Sequence, residues 1–207
     1  MTAKQAGSPK AVVFDVGRVM FQWQLRALFE KLIDDPDELD WFLANVVSEE
    51  WHFQHDRGVP LAEMLPARIA QFPDQAARIE AYAARFNETI PGQVPGTLKL
   101  VEQLHSAGVP LLCLTNFGDE LFAAFRATQP IFDLFDDIIV SGEECVAKPD
   151  PRIYEIVEQR GGLAGDQLFF TDDNPANIAA ARARDWQAHL FTDADALRAQ
   201  LVQAGLL

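Results

Sequence analysis

The chain has 207 residues, of which 49% are hydrophobic and 23% charged, a composition that supports the buried core of one or two small domains. Its 17 basic and 31 acidic residues give a formal net charge of −14, and a field of that sign repels nucleic acid and anionic membrane. The first ten residues, MTAKQAGSPK, hold no apolar signal core, no run is long enough to span a bilayer, and the two cysteines, Cys113 and Cys145, lack metal-ligand spacing; a polar lead-in over residues 1–9 and a cytoplasmic protein with reduced thiols are expected.

AVVFDV (11–16) is an apolar run that carries one carboxylate, Asp15, near its end, and it reads as a buried strand. Residues 22–92 then show no strand pattern but four helical stretches: QLRALFEKLI, PDELDWFLANVVSEEW, LAEMLPARIAQF and DQAARIEAYAARF. IPGQVPG (90–96) has the prolines and glycines of a return linker. GTLKLVEQLHSAG is a helix that stops on a glycine. Further strands are PLLCLT (110–115), DIIVS (137–141), QLFFTD (167–172) and QAHLF (187–191), and PRIYEIVEQRGG, PANIAAARARD and DADALRAQLVQAG are helices.

Strands that are nearly continuous in apolar residues suit a sheet covered on both faces. Their alternation with helices predicts an α/β fold with a doubly wound, Rossmann-like parallel sheet. The expected division is a core of residues 10–21 and 93–207 with an inserted α-helical cap over 22–92. A cap at that point sits over the carboxyl ends of the strands, where open α/β sheets bind ligands.

Polar residues gather where the strands end. Asp15 ends the first, Thr115-Asn116 the second, and Asp172-Asp173 the fourth, with Asn177 just beyond; Lys148-Pro149 follows the third by a short loop. Three carboxylates converging on one edge repel each other unless a cation sits among them. All-oxygen ligands favour Mg²⁺, which binds few carboxylates and leaves room for a phosphate. Thr115, the amides around Asn116 and Lys148 suit the remaining phosphate oxygens, and an aspartate in that position can form an aspartyl phosphate.

In this order the segments VVFDVGRV, LLCLTN, AKPDPRIY and FFTDDNPANIAAA resemble the four motifs of the haloacid dehalogenase (HAD) superfamily, over nearly the whole chain. The resemblance implies a Rossmann-like core with a helical cap after the first strand. It implies Asp15 as nucleophile and Mg²⁺ ligand, the Gly17 carbonyl as a further ligand, and Asp172 and Asp173 as metal ligands, Asp172 directly or through water. Thr115 is expected to hold the phosphoryl group, Asn116 to position substrate, Lys148 to neutralise charge, and Asn177 to support its loop.

Gly17 departs from the pattern, because most phosphatases of the superfamily place there the aspartate that protonates the leaving oxygen. A positioned general acid is worth about 10²–10⁴ in rate, so the leaving oxygen must depart less assisted or take a proton from water or from His52 or His55. FDVGRV and the cap segment WHFQHDRG (51–58) are similar to a capped subgroup that includes an α-D-glucose-1-phosphate phosphatase. His52, His55 and Asp56 also allow a second metal site, although the same pattern marks a helix closing at Gly58. Arg18 is a candidate substrate contact or a solvated loop residue, and Trp23, Trp41, Phe42, Trp51 and Phe53 are candidates for sugar stacking or for the cap's own core.

The expected function is a Mg²⁺-dependent phosphatase of a small phosphorylated metabolite such as a sugar phosphate. The alternatives are a metal-independent 2-haloacid dehalogenase and a weakly catalytic protein that binds a phosphate ligand. Three carboxylates facing a carboxylate substrate with no cation disfavour the dehalogenase.

Overall fold

Five apolar runs form five parallel strands: β1 (Ala11–Phe14), β2 (Leu111–Thr115), β3 (Asp137–Val140), β4 (Leu168–Asp172) and β5 (Gln187–Leu190). The computed structural model describes residues 8–207, so most of the lead-in expected over residues 1–9 lies outside the described residues. The strand order is β3-β2-β1-β4-β5, which reverses direction between β1 and β4. That switch point is where an open parallel sheet leaves a crevice at its carboxyl edge.

Successive side chains on a strand face opposite ways, and both faces of β1, β2 and β4 are buried. Val12, Phe14, Cys113 and Phe169 join one hydrophobic cluster, while Val13, Leu112, Leu114 and Phe170 join a second with Tyr154, Val157 and Trp186. Burial on both faces explains why the strands read as unbroken apolar runs rather than as alternation.

Between β1 and β2 lie α1 (Arg26–Phe29), α2 (Pro36–Asn45), α3 (Glu49–Asp56), α4 (Leu61–Gln71), α5 (Ala76–Ala84) and α6 (Thr97–Ser106). The remaining helices are α7 (Asp119–Arg126), α8 (Ser141–Glu144), α9 (Pro151–Gly161), α10 (Pro175–Arg182) and α11 (Ala194–Gln203). Among the described residues no helix is long and apolar enough to cross a membrane. Leu28, Phe29, Phe42, Ile79 and Tyr82 from the inserted helices share one buried cluster with Phe14 and Val16. The insertion therefore packs as a continuation of the sheet's hydrophobic layer.

Two expectations change. PDELDWFLANVVSEEW folds as two helices because Val46 and Val47, β-branched and poor helix formers, are followed by Ser48, whose hydroxyl caps α3 by accepting the Trp51 N–H at 3.1 Å. Arg68 closes the α2 end, donating to the Val46 carbonyl at 2.6 Å and the Asn45 carbonyl at 2.8 Å. QLRALFEKLI supplies only the single turn α1. α7 had no counterpart in the sequence reading, yet it has acidic residues in its first turn and buries Leu121, Phe122 and Phe125 on one side.

Ser48 separates the two possibilities for this segment. In one continuous helix Ser48→Ala would be neutral or stabilising, since alanine is the better helix former. As an N-cap its loss should cost about 0.5–2 kcal/mol, measured as a drop in unfolding free energy in urea.

Candidate active site

The register of β1 against β4 pairs Phe14 with Thr171, so the next residues, Asp15 and Asp172, emerge side by side from adjacent strands. The Asp15 N–H donates to the Thr171 carbonyl at 3.1 Å, which extends the pairing to the point of divergence. Lys148 fills the gap between the carboxylates. Its Nζ lies 2.8 Å from Asp15 Oδ1 and 2.7 Å from Asp172 Oδ2 and donates to the Leu114 carbonyl at 2.9 Å. The ammonium thus has its three acceptors in a buried site.

Each member of this cluster has its own support. Asn116 takes the Lys148 N–H on its Oδ1 at 2.8 Å and donates Nδ2 to the Lys148 carbonyl at 3.0 Å, so it fixes the lysine backbone from both sides. The Asn177 amide donates to both Asp172 oxygens at 3.0 Å, and the Asn174 N–H donates to Asp172 Oδ1 at 2.8 Å. The Val16 N–H donates to Asp15 Oδ1 at 2.7 Å. Both bonds to Asp15 fall on Oδ1 and leave Oδ2 for chemistry.

Burial pushes the Asp15 carboxyl up to about 7; Lys148 opposes the rise, and Asp172 and Asp173 add to it. Burial likewise raises Asp173, with Asp172 contributing. For Lys148 burial disfavours the charge, but Asp15 and Asp172 outweigh it and hold the ammonium above its ordinary range. The cluster is short of positive charge, with one lysine facing three carboxylates.

A cavity of about 330 Å³ opens at this edge, with Asp15, Gly17, Asn116, Lys148, Asp173 and Asn177 on the sheet side and Trp23, Glu49, His52, Phe53, Asp56 and Phe86 from the insertion. Thr115, the last residue of β2, is buried and lies outside the set that lines the cavity. Arg18 stands at the mouth, ion-paired with Glu49 at 2.6 Å and stacked over Trp23 at 5.0 Å. A side chain at Gly17 would meet nothing nearer than Trp23 Cβ at 4.0 Å, so this position tolerates a larger residue.

The cap candidates separate from one another. His52 lines the cavity, with Nδ1 2.5 Å from Tyr82 Oη and Nε2 3.4 Å from Asp56 Oδ2. His55 lies outside the cavity lining: its Nδ1 donates to the Val59 carbonyl at 2.9 Å, and its ring packs against Gly118, where any Cβ would collide with it at 1.9 Å. Among the described residues, three potential ligand atoms meet within 4.8 Å only at Asp15, Asp172 and Asp173, so a second metal site at His52, His55 and Asp56 does not form. The sequence reading missed Gly118 and Gly142; Gly118 lets α3 approach the sheet edge closely, and at Gly142 a Cβ would meet the Asp119 nitrogen at 2.5 Å, so that glycine lets the segments after β2 and β3 meet.

The donor set at Asp15, Asp172 and Asp173 fits a hard divalent cation. Asp172 has its oxygens engaged by Lys148, Asn174 and Asn177, whereas Asp15 and Asp173 line the cavity and are the freer ligands.

Two outcomes follow from this geometry. Lys148→Met strands Asp15 and Asp172 without their cation, and in metal-free buffer it should lower the unfolding free energy by about 3–5 kcal/mol. His52 is pushed down to about 3, chiefly by burial and then by His55. In the window from 6.5 down to 3 the unfolded chain therefore takes up a proton that the folded one refuses, and stability is lost as pH falls. His52→Gln should retain a larger share of its neutral-pH stability at pH 4.5 than the parent, read by urea titration at both pH values.

Residues 9–185 match the haloacid dehalogenase-like hydrolase family. The sesquiterpene phosphatase astK of Aspergillus oryzae is 29% identical over 177 residues, covering 84% of this chain and 85% of the relative. The (S)-2-haloacid dehalogenase 4A of Burkholderia cepacia is 28% identical over 87 residues, covering 42% of this chain and 38% of that enzyme. A solved HAD family enzyme of Bacteroides thetaiotaomicron, in complex with magnesium and inorganic phosphate, aligns with a TM-score of 0.68 at 20% identity, over 89% of this chain and 95% of that one; at that identity the likeness is one of fold. With the family match spanning the four strand-end stations, the chain belongs to the haloacid dehalogenase-like hydrolases.

Proposed function

We propose that this hydrolase is a Mg²⁺-dependent phosphatase of a small phosphorylated metabolite, acting through an aspartyl phosphate on Asp15. The observation that carries the reading is the meeting of Asp15, Asp172 and Asp173 within 4.8 Å around a single buried lysine. Such a cluster is short of cationic charge, whereas a dehalogenase would have to bring a carboxylate substrate to it with none added. The phosphatase relative, which the chain matches over most of its length, supports the same choice.

Asp15, the Gly17 carbonyl and Asp173 would hold Mg²⁺, with Asp172 orienting the group from behind. When bound, the ion neutralises charge on the phosphoryl oxygens. Asp15 Oδ2 attacks phosphorus in line, and Lys148 balances the charge that gathers on the nucleophile and the phosphoryl group. Asn116 serves by holding Lys148 in place, and Thr115 stands at the β2 end beside them.

Residues 22–92 act in this reading as the cap that selects substrate. Trp23, Phe53 and Phe86 line the cavity along with Asp15 and Asp173, and aromatic side chains there suit the apolar face of a sugar or another ring. Glu49 and Glu50 also line it and disfavour a second anionic group on the substrate.

Hydrolysis of p-nitrophenyl phosphate is expected to require Mg²⁺, to stop in excess EDTA and to return when Mg²⁺ is restored. Asp15→Asn should reduce it to background while the protein remains folded by circular dichroism. Full turnover in chelator, or metal-free chloride release from 2-chloropropionate, would overturn the assignment.

A further inference from the structure

Gly17 leaves the leaving oxygen without the usual neighbouring acid, and the cavity holds one buried carboxyl that the steps above do not use. Asp56, at the end of α3, lines the cavity with Asp15, Lys148 and Asp173. It is 4% exposed, and its Oδ1 has no hydrogen-bond partner. A buried carboxyl oxygen left unpaired beside a reaction centre is costly unless something uses it.

We propose that Asp56 is the general acid and base of this enzyme, protonating the leaving oxygen in place of a residue at position 17. The inference rests on the phosphatase reading above.

Hydrogen bonding offers the proton a place. Tyr82 is buried, with its phenol pushed above its ordinary range by burial and by Asp56, so it keeps its hydrogen, and its Oη lies 2.5 Å from His52 Nδ1. With Tyr82 as the donor the His52 hydrogen lies on Nε2, which faces Asp56 Oδ2 at 3.4 Å. In that tautomer a neutral Asp56 carries its own proton on Oδ1, the oxygen with no partner. Burial pushes this carboxyl up to about 7; the Gly118 N–H and the Lys148 ammonium oppose the rise, and Asp15 adds to it. An acid so placed holds a proton near neutral pH and can release it.

The insertion does not let this group wander. Ser141 donates its hydroxyl to the Asp56 carbonyl. Gly58, at φ +90, leaves α3 where a Cβ would strike Cys145 Sγ at 2.8 Å and the Gly142 carbonyl at 3.0 Å. Both contacts tie the end of α3 to the loop beyond β3, so Asp56 belongs to the insertion in sequence and to the sheet edge in position.

In the first step Asp15 Oδ2 bonds to phosphorus, the bond from phosphorus to the ester oxygen breaks, and that oxygen takes the Oδ1 proton of Asp56. The products are the free alcohol, the aspartyl phosphate and the Asp56 carboxylate, which His52 Nε2–H and Gly118 N–H stabilise. In the second step the Asp56 carboxylate takes a proton from water as the water oxygen bonds to phosphorus. The bond from phosphorus to Asp15 breaks, leaving inorganic phosphate, ionised Asp15 and protonated Asp56.

The test is a leaving-group series run with Mg²⁺, from p-nitrophenyl phosphate to alkyl phosphates. Delivery of a proton predicts that the wild-type rate of bond cleavage, measured in single turnover, falls less than about tenfold across the series, whereas an unassisted departure predicts a fall of about 10²–10⁴. Asp56→Asn should lose about 10²–10⁴ on the alkyl esters and much less on the nitrophenyl ester. Adding Gly17→Asp to that variant should restore the alkyl esters selectively. A steep wild-type dependence, or an equal loss on both ester classes in Asp56→Asn, overturns the role of Asp56 while leaving the phosphatase reading intact. The wild-type series decides the matter even where Asp56→Asn fails to fold. Absence of wild-type turnover on every phosphate ester overturns both.

Discussion

Asp15 and Asp172 leave neighbouring parallel strands at the same level, and everything at this edge answers the repulsion between them. Strands lie about 4.8 Å apart, so the pairing of Phe14 with Thr171 forces two carboxylates together before any side-chain choice is made. Lys148, bonded to both at 2.8 and 2.7 Å, is the minimum that makes the arrangement tolerable. Losing one partner of a buried ion cluster strands the others, which makes the lysine structural and chemical at once.

The supporting residues follow from that constraint. A lysine side chain is long and rotamer-rich, so a fixed ammonium needs a fixed backbone, and Asn116 provides it through two hydrogen bonds to Lys148. Asp172 receives Asn177 and Asn174 on its oxygens and is used up as a spacer. Asp15 keeps Oδ2 free, and Asp173 brings a third carboxylate that leaves the cluster short of positive charge. The donor set fits a hard divalent cation, which would supply the missing positive charge.

The insertion contributes a wall rather than a separate body. Its apolar residues share a cluster with Phe14 and Val16, and the end of α3 is drawn against the segments after β2 and β3 at Gly118 and Gly58, where no larger side chain fits. Close approach brings Trp23, His52, Phe53 and Asp56 to the cavity. It also buries His52 and Asp56 beside Tyr82, in an environment where neutral forms are favoured.

β1 to β4 were legible because both sheet faces are covered there, which makes each an apolar run bounded by turns, and the polar stations stood out because they end or follow those runs. Asp15, Asp172 and Asp173 could be named from sequence for that reason, since position at a strand end is a one-dimensional fact, whereas Lys148 lies in the loop beyond β3 and α8 and Asn177 inside α10, and their order in the chain beside the other stations marked them. α7 escaped because its eight residues offer barely two turns of periodicity, and the break at Ser48 because a cap and a helix interior differ only in local hydrogen bonding. His52, His55 and Asp56 form one short stretch of sequence, yet His52 lines the cavity beside Tyr82, His55 turns back on Val59 and Gly118, and Asp56 lines the cavity with its carboxyl buried. Sequence determined which residues end the strands; only the docking of α3 against the sheet edge, a matter of contacts between segments far apart in the chain, decided which cap residue could meet them.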